Sequence, residues 1–506
     1  MHTKTSRGVT LPDGFDSLDE YATALNQAYA RFGYLAQMHI VNFFVCDQWA
    51  KLPIEWQRYF DSDALSIPSL VKMAATGTVV DDCPDSLRAY VDLMVSLQFP
   101  REQLDYGNGV NEEKERVQKY FLDGMSPKKQ AEVIELSQLV TEIAKHTGCQ
   151  RITDVGAGQG YLTRVLAYAS QSSGAELLAI DHDWKQARGA EKYQARVLKR
   201  LRGARAQAEG YVWRDELTTR IVHDVQAVSM QTALNLARVS QQGVEDGKFM
   251  LCGLHACGDL SSAVLRAFAE SNAAAVALVP CCYNHITERQ SSVDNAGGDE
   301  YLEQIQAKQA VSMPGFPLSD RFPGVVLGVN SLKAACQATP RWEHELDSTI
   351  EAFRRNFFRA LLHHLMVTSG GLSTSAPFPV VGKITRTDLD QARQETLGQL
   401  DHTADGDDVD FTLYVYAALS KLDYAWRPPV ALCVACRREM QHGLKRMAAV
   451  WALRSMVGAL VESIIVVDRA TYLAKHCGPG GSVSAFALFD PVTSPRNIVL
   501  VAQRKR

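Results

Sequence analysis

From about residue 15 to 120, apolar positions recur three and four apart, as in YATALNQAYARFGYLAQMHIVNFF, and this spacing predicts a helical N-terminal region. A further helix is expected over KKQAEVIELSQLVTEIAKH, with Ser126 as its cap and Pro127 in its first turn. The pattern then changes to short β-rich runs, RITDV (151–155), ELLAID (176–181), TRIVHDV (219–225), KFMLCGL (248–254) and AAVALV (274–279), separated by helical stretches. Strands spaced by crossover helices predict a parallel sheet with right-handed βαβ connections. After Asn284 the alternation breaks. SSVDNAGGDE reads as a loop, 332–366 as helices, TSGGLSTSAPFP and DHTADGDDVD as linkers, and helical spacing resumes over 432–475. The final stretch, SVSAFALFDPVTSPRNIVLVAQR, reads as two strands joined by a Pro-containing turn, an edge hairpin for a doubly wound sheet.

The expected class is α/β, with a helical N-terminal region (1–120), the first part of the sheet (121–290), a helical and loop insertion (291–430), and helices plus a strand hairpin completing the core (431–506). At roughly 150 residues per domain, 506 residues leave room for about three units, and no internal repeat is evident. The hydrophobic fraction of 46% and charged fraction of 22% exclude disordered, collagen-like and fibrous readings. Lys and Arg total 53 against 57 Asp and Glu, a net charge of −4, so attraction to nucleic acid or membrane is not a property of the whole surface and has to be local. The opening residues lack the apolar core of a signal peptide. The most apolar stretch, 447–467, contains Arg454 and Glu462, which predicts a buried helix and no membrane association. Eleven scattered cysteines favour reduced thiols and a cytoplasmic or nuclear location.

Candidate chemistry begins at QRITDVGAGQGYL, where a strand ending at Asp154 is followed by Gly156, Gly158 and Gly160 and then by a helix. Glycines there permit a tight turn and close approach of a ligand, and the helix start offers unpaired N–H groups. Asp181 ends the next strand about 20 residues on, where a carboxylate can accept hydrogen bonds from ribose hydroxyls. A dinucleotide fingerprint needs glycine at position 161, which is Tyr161. The G-x-G-x-G spacing resembles motif I of class I S-adenosylmethionine-dependent methyltransferases. That resemblance implies S-adenosylmethionine as cofactor and a Rossmann-like sheet. Asp224, after the third strand, stands where such enzymes often place a polar residue near the adenine; a solvated loop Asp fits as well.

The fourth and fifth strands end in GLHACGDLSS and PCCYNHIT. As neighbours in a doubly wound sheet they bring His255, Cys257, Asp259, Cys281, Cys282, Tyr283 and Asn284 to one edge. DVGAGQGYL, GLHACGDLSS and CCYN, with LPIEWQRYF, GMSPKKQAEV, FPLS, FFRALL and SPRN, resemble the methyltransferase-like protein 25 family, also described as containing a ribosomal RNA adenine dimethylase-like domain. The paired Cys-rich motifs are also similar to those of a eukaryotic tRNA 2′-O-methyltransferase, which has histidine where this chain has Tyr283. Base N-methylating dimethylases place Asn-Leu-Pro-Tyr or a close variant after the fourth strand. LHACG stands there in this chain, so adenine dimethylation is not supported.

Three readings of the cysteines stay open: apolar fillers, a zinc site of one His and three Cys, and a polar acceptor pocket. In the pocket, His255 and Asn284 would orient the acceptor, His255 as base, and Cys257 would line the cofactor side. The zinc reading meets an objection, because vicinal Cys281 and Cys282 need a distorted backbone to face one ion, and no metal is expected. Residues 185–205 hold eight Lys and Arg against Glu191 alone, either a solvated helix face or an RNA phosphate contact. Cys433-x-x-Cys436 has no second pair and reads as part of a helix. Lys128 and Lys129 read as surface charges or as a lid over the cofactor carboxylate. The function expected is methyl transfer with RNA favoured over protein as acceptor; the alternative is a non-catalytic binding protein that keeps the pocket.

Overall fold

The computed structural model describes residues 8–103, 121–169, 175–205, 221–225, 232–244, 248–288, 314–373, 378–400 and 402–505. Seven strands, β1 (Arg151–Val155), β2 (Glu176–Asp181), β3 (Ile221–Val225), β4 (Phe249–Cys257), β5 (Ala275–Cys281), β6 (Ser482–Ala487) and β7 (Ile498–Gln503), form one sheet in the order β3-β2-β1-β4-β5-β7-β6. The first five are parallel, and β7 runs antiparallel to both β5 and β6. The sequence thus places the hairpin correctly, with its second strand inside the sheet and its first at the edge. Strand order reverses between β1 and β4, and the carboxyl ends beside such a switch point are where open α/β sheets bind ligands.

Among the strands whose side chains are described, residues divide between two cores with the period of two that a pleated strand imposes. Ile152, Leu177, Met250, Ala277 and Val501 pack under the helices Pro127–Thr147 and Tyr161–Ala169. Val155, Leu178, Leu251, Val276 and Leu500 face the helices Thr232–Gln241, Asp259–Ala269 and Gly443–His476. The Pro127–Thr147 helix begins as its sequence predicts: the Ser126 hydroxyl accepts from the Lys129 N–H, Pro127 opens the first turn, and Gly148 ends the helix in the left-handed region.

The N-terminal helices Leu18–Gln37, Ile67–Thr76 and Asp85–Ser96 and the later helices Gly328–Ala335 and Leu346–Thr368 share the second of these cores. Its axis is Gly443–His476, a helix long and apolar enough to cross a membrane but enclosed by these neighbours. It is apolar all round because it is buried all round. Its buried charges Arg454 and Asp468 have internal partners. Arg454 donates to the carbonyls of Ala36 and Asn330 (3.2 and 2.8 Å), and Asp468 accepts the backbone N–H groups of Leu318 and Ser319 (both 2.8 Å). At Gly458 a side chain would come within 2.3 Å of the Ala334 carbonyl oxygen, so glycine is what allows the two backbones to touch.

Two local departures from the sequence reading matter. Residues 406–410 are not a linker: Asp405 caps the helix Gly406–Lys421 in a reciprocal box with Asp408, and its acidic first turn suits the positive helix end. β4 and β5 also run past the expected ends at 254 and 279, to Cys257 and Cys281. Pairing of β4 with β5 shifts between Leu254 and Ala256, and the irregularity falls at His255, whose φ is 62°.

Candidate active site at the switch point of the sheet

Gly156, Gly158 and Gly160 all take positive φ (75°, 56° and 66°), which wraps the chain from β1 into the helix Tyr161–Ala169. The Gly156 and Ala157 N–H groups bond the Ile180 carbonyl (2.8 and 3.1 Å), fixing the loop to β2. Asp181, at the end of β2, accepts from the Gly158 N–H at Oδ2 (2.8 Å) and from the Asp183 N–H at Oδ1 (2.9 Å). A side chain at position 158 would meet no atom within 4 Å, so the loop is a cradle open above Gly158. Asp154 lies beneath it, 2% exposed, where burial pushes its carboxyl up to about 6 although the Thr163 hydroxyl donates to it at 2.6 Å. It therefore braces the loop and helix start from below. Asp224 lies on β3, but its side chain falls outside the described residues.

At the end of β4, the His255 ring Nε2 lies 3.0 Å from Glu132 Oε2, and Ser494 donates to Glu132 Oε1 at 2.7 Å. Burial acts to raise the Glu132 carboxyl, but the hydrogen bonds from His255 and Ser494, with Lys128 nearby, hold it below the usual carboxylate range. An ionised Glu132 accepts from a proton on Nε2, which leaves Nδ1 as the ring atom with a lone pair to offer whenever the ring carries a single proton. Glu132 was missed in the sequence reading because 123 residues separate it from His255. Lys128 pairs with Glu132 at 3.7 Å, and Lys129 sits 5.8 Å from the Tyr161 ring centroid.

Cys257 and Cys281 are register partners across β4 and β5, and their sulfurs lie 3.1 Å apart. Cys282 follows in the left-handed region (φ 49°, ψ 52°), which turns its sulfur to 3.5 Å from that of Cys281. The three sulfurs lie within 4.8 Å of one another. Hydrogen bonds from Cys257 and Cys281 lower the Cys282 thiol below its ordinary range.

The remaining expected site residues are engaged elsewhere. Asp259 accepts from the Thr287 N–H (2.9 Å) and hydroxyl (2.7 Å), which ties down the loop after β5. Tyr283 is 1% exposed and donates to Glu462 Oε1 at 2.9 Å. Asn284 accepts from the Cys336 thiol at 3.3 Å. Cys433 and Cys436 are buried in the helix Val430–Glu439, where burial pushes both thiols up to about 12, and neither joins a metal-ligand cluster among the described residues. The SPRN segment proves to be a brace: Ser494 holds Glu132, Arg496 donates to Glu462 at 3.2 Å, and Asn497 donates to the carbonyls of Arg101 and Phe489.

Residues 128–289 match a family model described as a methyltransferase domain. The chain is 25% identical over 264 residues to the mouse protein named probable methyltransferase-like protein 25, covering 51% of this chain and 38% of that protein. It is also 25% identical over 259 residues to the human counterpart, covering 51% of this chain and 37% of that protein. The aligned stretch thus spans well under half the length of these relatives. Among solved structures, the O-methyltransferase TomG from Streptomyces achromogenes, in complex with S-adenosylmethionine, is similar with a TM-score of 0.21 and 14% identity over 39% of this chain and 86% of that one. S-adenosylmethionine fits the residues present, since the cradle above Gly158 is open and the Asp181 carboxylate stands beside it. Residues 128–289 match a methyltransferase-domain family, and over half its length the chain is similar to methyltransferase-like protein 25.

Proposed function

We propose that this chain transfers the methyl group of S-adenosylmethionine to RNA, with the acceptor seated between the glycine loop and the His-Cys end of β4. One observation carries this reading: the Gly158 cradle and the His255–Glu132 pair stand at the ends of adjacent strands, β1 and β4, at the switch point. The donor, when bound, supplies an electrophilic methyl group on a sulfonium. The chain then has to provide proximity, alignment and a place for the acceptor's proton. Asp181 would hold the ribose hydroxyls, and the loop would let the ligand lie against the backbone. His255, steadied by Glu132, would take the acceptor proton at Nδ1.

RNA is favoured by the helix Trp184–Arg205, on which Lys185, Arg188, Lys192, Arg196 and Lys199 are exposed. Trp184 is 54% exposed with the Arg188 guanidinium 4.9 Å from its ring centroid, a pairing of cation and aromatic surface suited to a single-stranded nucleic acid. Arg200 is exposed as well but is paired with Asp123 at 2.5 Å, and the side chains of Arg202 and Arg205 lie outside the described residues. Changing Lys192, Arg196 and Lys199 to Glu is expected to weaken RNA binding and to flatten its salt dependence while cofactor affinity stays unchanged. Equal RNA affinity at low salt would remove this helix from the interface.

Asp181→Ala is expected to weaken S-adenosylmethionine about 10- to 150-fold, the equivalent of about 1.5 to 3 kcal/mol for hydrogen bonds to a charged group, as read by titration calorimetry. The activity itself is tested by incubating the protein and methyl-labelled donor with separated RNA and protein fractions of an extract. Label in RNA supports the proposal. Label confined to protein overturns the acceptor, and donor binding without any transfer favours the non-catalytic alternative.

A further inference from the structure

We infer that Cys257, Cys281 and Cys282 form a binding site for one zinc ion whose fourth position is open. The inference is independent of methyl transfer. Three sulfurs from two adjacent strands lie within 4.8 Å of one another, with Cys257 to Cys281 at 3.1 Å and Cys281 to Cys282 at 3.5 Å. A zinc ion bound at about 2.3 Å in tetrahedral geometry needs sulfurs about 3.8 Å apart, a small opening of the spacing already present. The sequence raised one objection, that vicinal cysteines point to opposite sides of an extended chain. The fold answers it: Cys282 takes φ 49° and ψ 52°, a conformation that non-glycine residues avoid, and the turn brings its sulfur back beside that of Cys281. Three thiols held this way gain little from one another, because S–H groups are weak donors, whereas three thiolates around a d10 cation are a strong ligand set.

The donor count argues for an open position. Among the described residues, no fourth Cys, His, Asp or Glu atom falls within the same cluster. Three protein ligands with water or substrate in the fourth place is the arrangement of zinc sites that take part in chemistry. Cys257 is exposed, so solvent reaches the cluster, and His255 lies two residues away at the end of the same strand.

The test uses the full chain, purified under reducing conditions, loaded with zinc, desalted and assayed by elemental analysis; a parallel sample takes cobalt. About one zinc per chain and a thiolate-to-cobalt charge-transfer band are expected. Both should be lost in Cys257→Ser and in Cys282→Ser and kept in Cys46→Ser, which alters an exposed cysteine outside the cluster. The two cluster positions are less enclosed than Cys281, and melting curves with S-adenosylmethionine titrations on the same samples confirm that each variant is folded. Zinc well below stoichiometry in the folded wild type overturns the proposal. So does zinc retained by both cluster variants, and so does a Cys257–Cys281 disulfide as the resting state of the reduced preparation. Cofactor binding is read separately, so loss of the zinc proposal leaves the methyltransferase reading standing.

Discussion

Glu462→Ala is expected to destabilise the protein by about 3 to 5 kcal/mol, the effect of breaking a buried ionic network by removing its shared partner. Glu462 is 1% exposed at the middle of the Gly443–His476 helix. Its carboxylate pairs with Arg101, accepts from Arg496 Nη1 at 3.2 Å, and accepts from the Tyr283 hydroxyl at 2.9 Å. Without it, two guanidinium groups would stay in the interior with no counter-charge. Arg496 also donates to the Ala335 carbonyl at 3.0 Å, and Arg101 to the Pro495 carbonyl at 3.1 Å, so neither is free to swing out to water. Urea unfolding of the wild type and the variant measures the loss; a value under about 1 kcal/mol would show that the arginines reach solvent. Replacing Glu462, Arg101 and Arg496 together by apolar residues should cost much less than Glu462→Ala alone, because no charge is then left unpaired.

His255→Ala is expected to lower the rate of methyl transfer about 10²- to 10⁴-fold, the range a positioned acid or base supplies, while cofactor affinity changes less than about tenfold. Glu132→Gln tests the same feature from the other side. A glutamine whose NH2 faces Nε2 would donate to it, which moves the ring proton to Nδ1 and leaves the base without a lone pair there. That variant should lose at least about tenfold in rate with little change in volume. Full activity in Glu132→Gln would show that the tautomer has no part in the reaction. Rates are measured under single turnover, where chemistry is separated from product release.

The glycine loop was legible because its parts are contiguous: a strand, three glycines at fixed spacing and a helix within QRITDVGAGQGYL, with Asp181 one strand later. The convergence of HACG and CCYN was legible because neighbouring parallel strands deliver their carboxyl ends to one edge. What each residue does there was not legible, since the partners are distant in the chain. Tyr283 reads as a site residue until its hydroxyl is found bonded to Glu462, 179 positions later. His255 reads as a bare histidine until Glu132 arrives from the Pro127–Thr147 helix, 123 positions earlier. Asp405 to Asp410 read as a linker because acidic runs suit loops, but the same acids in a capping box favour a helix start. The backbone reversal at Cys282 left no mark in its composition, since cysteine has no preference for the left-handed region.

The sheet is closed by residues synthesised late. β7 supplies the hydrogen bonds to the far side of β5, as Ala275 pairs with Gln503 and Leu278 with Leu500. On a ribosome, the first five strands emerge more than two hundred residues before the strand that covers this edge, counting from Cys281 to Ile498. Until then, β5 presents VALVP with one row of amides unpaired, a template for the wrong partner. The Gly443–His476 helix, which covers one face of the same region, also arrives late. Nascent chains are therefore expected to need a holding chaperone until the last strand docks, and a message truncated between the codons for His476 and Ile498 should yield aggregates rather than a smaller working domain.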